Sequence, residues 1–257
     1  MMDIHQLFSL QGRSALVTGG SRGIGRMIAE GFLRAGARVY ISARKAEACD
    51  AAAAELSAIG PCVSLPADVS TLAGIQALAA AYQRHEASLD ILVNNAGAAW
   101  TAPLPEFPES GWDKVVDLNM KAPFFLTQAL LPLLKKAATD HLAKVIHVAS
   151  VDGISVNPLE TYSYAASKAG LIHLTRRMAL KLAPERIAVS AIAPGAFASN
   201  MNKDARDRAE EVKRRIPAGR IGEPEDMAGA AIYLASRAGD YVMGGTLIVD
   251  GGVTWGR

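Results

Sequence analysis

Residues 14–25 read Ser-Ala-Leu-Val-Thr-Gly-Gly-Ser-Arg-Gly-Ile-Gly. Ser14–Thr18 is a short apolar strand candidate, Gly19, Gly23 and Gly25 punctuate a turn, and Ile24–Ala35 continues with helical spacing. A strand, a glycine turn and a helix in this order let the backbone approach a diphosphate, with the first helical amides as donors. The spacing differs from the usual GxGxxG, but the demands are the same: a tight turn, close approach and close packing of helix on strand. Gly19, Ser21, Arg22, Gly23, Ile24 and Gly25 are therefore candidates for binding a dinucleotide.

The second strand candidate ends in Ile41-Ser42-Ala43-Arg44-Lys45, where a site selective for NAD would place a carboxylate on the ribose 2′-hydroxyl. No acid stands there. Arg44, with Arg22 inside the turn, instead offers guanidinium groups to a 2′-phosphate, so the expected cofactor is NADP(H). The plain alternative is two solvated arginines.

The same alternation of short apolar runs and longer alanine-rich segments persists almost to the C-terminus. Further strand candidates are Arg38–Ser42, Cys62–Pro66, Ile91–Asn94, Val145–Ala149, Val189–Ala193 and Leu247–Val249. Helical candidates are Ala46–Ile59, Leu72–Arg84 with Ser70 before it, Trp112–Leu134, Tyr164–Leu182, Lys203–Arg215 and Glu225–Ser236 behind Pro224. Repeated βαβ units with right-handed crossovers predict an α/β fold: one doubly wound Rossmann-like domain over residues 1–257, with a seven-stranded parallel sheet flanked by helices. Ligands of such a sheet gather at the carboxyl ends of the strands.

Composition excludes other classes. The 257 residues carry 27 basic and 25 acidic side chains, and no basic run long enough for a nucleic-acid footprint. Two cysteines, Cys49 and Cys62, without nearby histidine pairs, support neither a disulfide framework nor a metal site. No stretch reaches a membrane span and the N-terminus lacks a leader's apolar core, so the expected address is cytoplasmic.

Thr18–Gly25, Asn94-Asn95-Ala96-Gly97, Asn119, Ser150, Tyr164-Ala-Ala-Ser-Lys168 and Pro194-Gly195 together resemble the short-chain dehydrogenase/reductase family, across essentially the whole chain. Through Ala37–Arg44, Ser110–Trp112 and Ile192–Ser199 the chain is most similar to NADPH-dependent 3-oxoacyl-acyl-carrier-protein reductases of the rhamnolipid type.

The catalytic candidates are Asn119, Ser150, Tyr164 and Lys168. Tyr164 and Lys168 are one helical turn apart, so their side chains share a face. A neighbouring ammonium favours phenolate and is expected to lower the tyrosine pKa, which suits Tyr164 as acid/base. Ser150 follows the fifth strand and can donate to an oxygen that gains charge on accepting hydride. Taken singly, Ser150 reads as a cap, Asp68 likewise, and Asn119 as an ordinary polar helix position. The resemblance implies that Asn119 holds a relay water, that Lys168 also contacts the nicotinamide ribose, and that Asp68 and Val69 lie at the adenine. It further implies that Asn95, Ala96 and Gly97 lie near the cofactor, and Pro194, Gly195 and Ser199 beside the carboxamide.

Two features depart from the family pattern. Tyr162 stands two residues before Tyr164, though only Tyr164 is one turn from Lys168. Ser150 and Tyr164 are fourteen positions apart, one more than in many relatives, which places an extra residue in the loop 151–163.

By the same resemblance, 196–222 covers the substrate, with Phe197, Met201 and Ile216 lining an apolar pocket. Its charged stretch reads as a solvated face, or as Arg206, Arg208, Lys213, Arg214 and Arg215 docking an acidic acyl-carrier protein. The resemblance implies a homotetramer or homodimer. The expected reaction is hydride transfer between NADP(H) and a small-molecule carbonyl or secondary alcohol, foremost reduction of a 3-oxoacyl thioester. The alternatives are a sugar, polyol or steroid dehydrogenase and a catalytically silent NADP(H)-binding regulator.

Overall fold

Seven parallel strands join in the order β3-β2-β1-β4-β5-β6-β7 in a computed structural model that describes residues 3–199 and 202–255. In chain order the elements begin with α1 (Ile4–Phe8), β1 (Ser14–Thr18), α2 (Gly23–Arg34), β2 (Arg38–Ser42), α3 (Ala46–Leu56), β3 (Cys62–Ser64), α4 (Leu72–Gln83) and β4 (Ile91–Asn94). They continue with α5 (Glu109–Val116), a π turn (Asp117–Lys121), α6 (Ala122–Ala137), β5 (Ala143–Val148), α7 (Tyr162–Leu182) and β6 (Ile187–Pro194). The last are α8 (Lys203–Asp207), α9 (Ala209–Lys213), α10 (Pro224–Ala235) and β7 (Thr246–Val249).

The strands read as continuous apolar runs because both faces of the sheet are covered. Leu16 of β1 sits between Tyr40 of β2 and Leu92 of β4, and every residue of β1, β4, β5 and β6 is buried. One apolar cluster joins alternate strand residues such as Val17, Val39 and Val93 to Phe32 of α2 and Met227 of α10. The other joins Leu16, Leu92 and Val145 to Leu78 of α4, Leu130 of α6 and Met178 of α7. Helices α2 and α10 touch at Gly31, where a Cβ would lie 2.6 Å from that of Ala228.

Several boundaries differ from the expected ones. Strand β3 stops at Ser64, and β5 and β6 each begin two residues early. Thr71, not Ser70, caps α4, accepting a 3.0 Å bond from the Gly74 amide. The single helix expected over 112–134 is α5, a π turn and α6, and the one expected over 203–215 is two short helices, α8 and α9. Helix α10 opens with a capping box, the Glu223 amide donating to Asp226 at 2.8 Å.

Candidate active site

Strand order reverses between β1 and β4, which opens a crevice at their carboxyl ends. Thr18 and Asn95 lace its floor. The Thr18 hydroxyl donates to the Val93 carbonyl and accepts from the amides of Asn95 and Ala96, each at 3.0 Å. Asn95 Nδ2 donates to the carbonyls of Thr18 and Gly19. Gly19 has φ +68°, and a Cβ there would lie 2.7 Å from Asn95 Nδ2, so this position accepts glycine alone.

The residues around the crevice fit NADP(H). Arg22 precedes α2 and makes no side-chain cap, which leaves the first-turn amides to face an anion. Arg22 and Arg44 are both exposed, and among the described residues neither has an ion-pair partner. The Ser42 hydroxyl at the end of β2 is buried and makes no hydrogen bond among the described residues. Two guanidinium groups and a hydroxyl around the end of β2, with no carboxylate on that strand, suit a 2′-phosphate. Asp68 accepts from the amide and hydroxyl of Ser70, and these bonds, helped by Arg44, hold its carboxyl below the usual range. Val69 is buried behind it. Gly195 lies against Asp250 at the end of β7, and Ser199 meets the glycine turn, its Cβ 3.3 Å from where a Cβ on Gly23 would stand.

Asn119, Ser150, Tyr164 and Lys168 converge on the next part of the crevice. Helix α7 carries Tyr164 and Lys168, with the Lys168 ammonium 5.7 Å from the centre of the tyrosine ring. That ammonium donates to the Val148 carbonyl at 2.6 Å. Burial lowers its pKa to about 8. Burial also pushes the Tyr164 phenol up to about 12, with the Ser150 hydroxyl pulling the other way and the Asp152 carboxylate adding to the rise. The expected lowering of the tyrosine pKa is therefore reversed in the free chain. Desolvation of the phenolate outweighs the Ser150 hydrogen bond, and the ammonium itself is held by the Val148 carbonyl.

Ser150 caps the turn after β5, its hydroxyl accepting the Asp152 amide at 3.1 Å, and lies beside Tyr164. Gly153 rests on the α7 backbone, where a Cβ would lie 2.7 Å from the Lys168 carbonyl carbon. This contact ties the 151–163 loop to α7. Tyr162 turns away and donates to Glu160 at 3.1 Å, leaving Tyr164 alone beside Ser150.

Asn119 sits inside the π turn, almost wholly buried. Its Oδ1 accepts the Ala98 amide, and its Nδ2 donates to the Ala98 carbonyl and the Ser167 hydroxyl. A Cβ on Gly97 would lie 3.2 Å from Asn119 Oδ1 and 3.8 Å from Lys168 Nζ, so glycine keeps a small cradle open between them.

The covering segment departs from expectation. Phe197 and Ile216 are buried anchors, 2% and 6% exposed, packed under Gly222 and Gly251 respectively. Met201 lies outside the described residues. Arg206, Arg208 and Lys213 pair with Asp207, Glu211 and Glu210, so three of the five proposed docking cations have a local counter-ion.

Only a hydroxyl at the last residue of β1 marks Thr18 in the sequence. The Val148 carbonyl has no side-chain trace there, and no motif marks His147. The buried His147 Nδ1 bonds Thr175 Oγ1 at 2.9 Å, and Thr175 donates to the Leu171 carbonyl. The threonine proton being spent, Nδ1 carries the imidazole hydrogen. Burial, then Lys168, lowers the His147 pKa to about 3.

A glycine-turn crevice beside a Tyr-x-x-x-Lys helix and a serine at the next strand end defines a short-chain dehydrogenase/reductase, and the chain belongs to that family. It is a nicotinamide-dependent oxidoreductase. The profile described as Enoyl-(Acyl carrier protein) reductase matches residues 19–254. The chain is 50% identical over 253 residues to the rhamnolipids biosynthesis 3-oxoacyl-[acyl-carrier-protein] reductase of Pseudomonas aeruginosa, covering 97% of this chain and 99% of the relative. The Pseudomonas aeruginosa RhlG/NADP active-site complex superposes with a TM-score of 0.94 at 50% identity, covering 98% of this chain and all of that one. The 2-dehydro-3-deoxy-D-gluconate 5-dehydrogenase of Dickeya dadantii is 39% identical over 249 residues, 95% of this chain and 96% of that relative.

Proposed function

We propose that the protein reduces the 3-oxo group of an acyl thioester with NADPH. The observation that carries the mechanism is the meeting of Ser150, Tyr164 and Lys168 in one crevice with the glycine turn. When bound, NADPH supplies the hydride. Ser150 donates a hydrogen bond to the carbonyl oxygen and stabilises charge as it develops there. Tyr164, protonated at neutral pH by its raised pKa, gives its proton to that oxygen. Lys168, held by Val148, faces the tyrosine, would reach the nicotinamide ribose, and steadies the phenolate left behind. Asn119 fixes the Ala98 loop through both side-chain ends and keeps a lone pair of Oδ1 for a relay water.

Gly19, Ser21, Arg22, Gly23, Ile24 and Gly25 would hold the diphosphate, and Arg44 with Arg22 the 2′-phosphate. Asp68 and Val69 would meet the adenine; Asn95, Ala96 and Gly97 would border the ribose; Pro194, Gly195 and Ser199 would meet the carboxamide. Residues 196–222 cover the substrate as part of a single domain.

The thioester is favoured by the 50% identical reductase, which acts on 3-oxoacyl-acyl-carrier protein by name. A second reading, reduction of a keto sugar acid, draws on the 39% identical dehydrogenase. NADPH oxidation measured over 3-oxoacyl thioesters, keto sugar acids and cyclic ketones decides between them. The first reading requires the highest kcat/KM on a thioester and is overturned by a higher value on a sugar acid.

The assembly in this reading is a homotetramer or homodimer in the cytoplasm. Tyr241, Trp255 and Leu180 are 102%, 76% and 71% exposed, and β7 is an edge strand with all four residues only half-buried. Pairing such an edge across a two-fold axis would cover it. Among the described residues no helix is long and apolar enough to cross a membrane.

A further inference from the structure

The turn that follows β5 sets a carboxylate beside the reacting groups. Asp152 stands in the short turn Val151–Gly153, half-buried, and its amide donates to the Ser150 hydroxyl at 3.1 Å. That hydroxyl in turn bonds the Tyr164 phenol. Ser150 and Tyr164 are the two donors that the ketone oxygen meets, so Asp152 is bonded directly to a group that touches the reacting atoms. We propose that the Asp152 carboxylate is a specificity-determining group: it turns away ketones that carry a negative charge close to the carbonyl and confines the site to acids masked as uncharged esters or thioesters. The proposal rests on the thioester reading above and sharpens its substrate class.

The charge of Asp152 is not neutralised. Among the described residues its carboxylate has neither an ion-pair nor a hydrogen-bond partner. Its field reaches the reaction site, since Asp152 is the charged group that strengthens the hold of Tyr164 on its proton. A charge that disfavours the phenolate disfavours, by the same repulsion, a carboxylate on a substrate held against that phenol.

The neighbouring chain offers little compensation. Residues 95–112, which leave β4, carry Glu106 and Glu109; residues 150–167, which leave β5, carry Asp152 and Glu160; neither stretch holds a lysine, arginine or histidine. Glu160 is engaged by the Tyr162 hydroxyl and the Leu104 amide, which leaves Asp152 as the carboxylate at the reacting end. The Lys168 ammonium is held by the Val148 carbonyl and faces the tyrosine ring. In the covering segment Arg206, Arg208 and Lys213 have local counter-ions, and Arg214 and Arg215 are exposed at the end of α9. A free 3-oxo acid places its carboxylate one methylene from the ketone, whereas the thioester has no charge there. A keto sugar acid is an anion too, so the same group weighs against the second reading.

The test compares kcat/KM with NADPH for ethyl 3-oxobutanoate and for the 3-oxobutanoate anion in the wild type, Asp152→Asn and Asp152→Glu, with 3-oxobutanoyl-coenzyme A assayed alongside. The bond to Ser150 comes from the backbone amide, so both substitutions leave its donor in place. Like unit charges within about 10 Å, at an effective dielectric constant near 20, disfavour one another roughly tenfold. Asp152→Asn is therefore expected to lower the ester-to-anion ratio by about that factor, and Asp152→Glu to keep the wild-type ratio. A merely structural role would slow both substrates together and leave the ratio unmoved. An unchanged ratio in Asp152→Asn, with the thioester turned over by wild type, overturns the charge filter and leaves the thioester reading standing. A lowered ratio with no wild-type turnover of the thioester supports the filter and overturns that reading. Absence of wild-type turnover on ester and thioester alike overturns both.

Discussion

The Lys168 ammonium lies 5.7 Å from the centre of the Tyr164 ring while bonding the Val148 carbonyl at 2.6 Å. The lysine is thus held at the tyrosine by the end of β5, with Lys168 buried and Tyr164 half-buried. The outcome is a phenol that holds its proton to about pH 12 and an ammonium that releases its own near pH 8. A protonated phenol is the form a carbonyl reductase needs when the product oxygen must be protonated.

Burial of Lys168 has a stability consequence. Its folded pKa of about 8 lies below the ordinary 10.5, so between those values the unfolded chain keeps a proton that the folded chain has shed. Stability from this group therefore rises with pH through that window, by on the order of 3 kcal/mol, and the penalty is complete below it. Urea unfolding of the cofactor-free protein at pH 7.5 and pH 10 is expected to show this rise in wild type relative to Lys168→Met. Parallel pH profiles would count against it.

His147 sets a limb on the acid side. Its folded pKa of about 3 lies below the ordinary 6.5, so below pH 6.5 the unfolded chain takes up a proton that the folded chain refuses. Stability falls as pH falls, by about 2 kcal/mol between pH 7 and pH 5. Replacement by Asn is expected to flatten this limb in urea unfolding at the two pH values, whatever its effect at pH 7.

Arg44 is expected to govern cofactor choice. Charge-assisted hydrogen bonds are worth about 1.5–3 kcal/mol, so Arg44→Ala should lower kcat/KM for NADPH by roughly 10–100-fold. The value for NADH should change much less. Equal losses with both cofactors would place the arginine's effect elsewhere than the 2′-phosphate.

Asn119→Ala would strip both partners from Ala98 and one from Ser167. A buried group left unpaired costs about 1–3 kcal/mol, which applies to Ser167, while the part-buried Ala98 groups recover some water, so a loss of about 2–4 kcal/mol is expected in chemical denaturation. Turnover should fall as well, because the same bonds position the loop beside the crevice.

Most of this was legible in the residues. The seven apolar runs announced a parallel sheet because strands covered on both faces must be continuously hydrophobic. Tyr164 and Lys168 announced themselves by helical spacing. The π turn did not, since 112–134 keeps a nearly helical period and one extra residue per turn is invisible to it. The direction of the Tyr164 shift was hidden because spacing reports which groups are near but not how much water they have lost. Phe197 and Ile216 looked like pocket walls because apolar residues in a covering loop serve equally as anchors, and only the approach of Gly222 and Gly251 distinguishes the two. The contact of Phe107 with Tyr162 escaped notice because some fifty residues of chain separate them.

The central claim is that Tyr164 delivers the proton as hydride reaches a 3-oxoacyl carbonyl. The most direct measurement is NADPH oxidation by Tyr164→Phe with a 3-oxoacyl thioester, alongside NADPH binding to the same variant by fluorescence. General acid catalysis is worth about 10²–10⁴-fold, so turnover should fall by at least about a hundredfold with the NADPH Kd unchanged. Turnover within a few-fold of wild type would contradict the account.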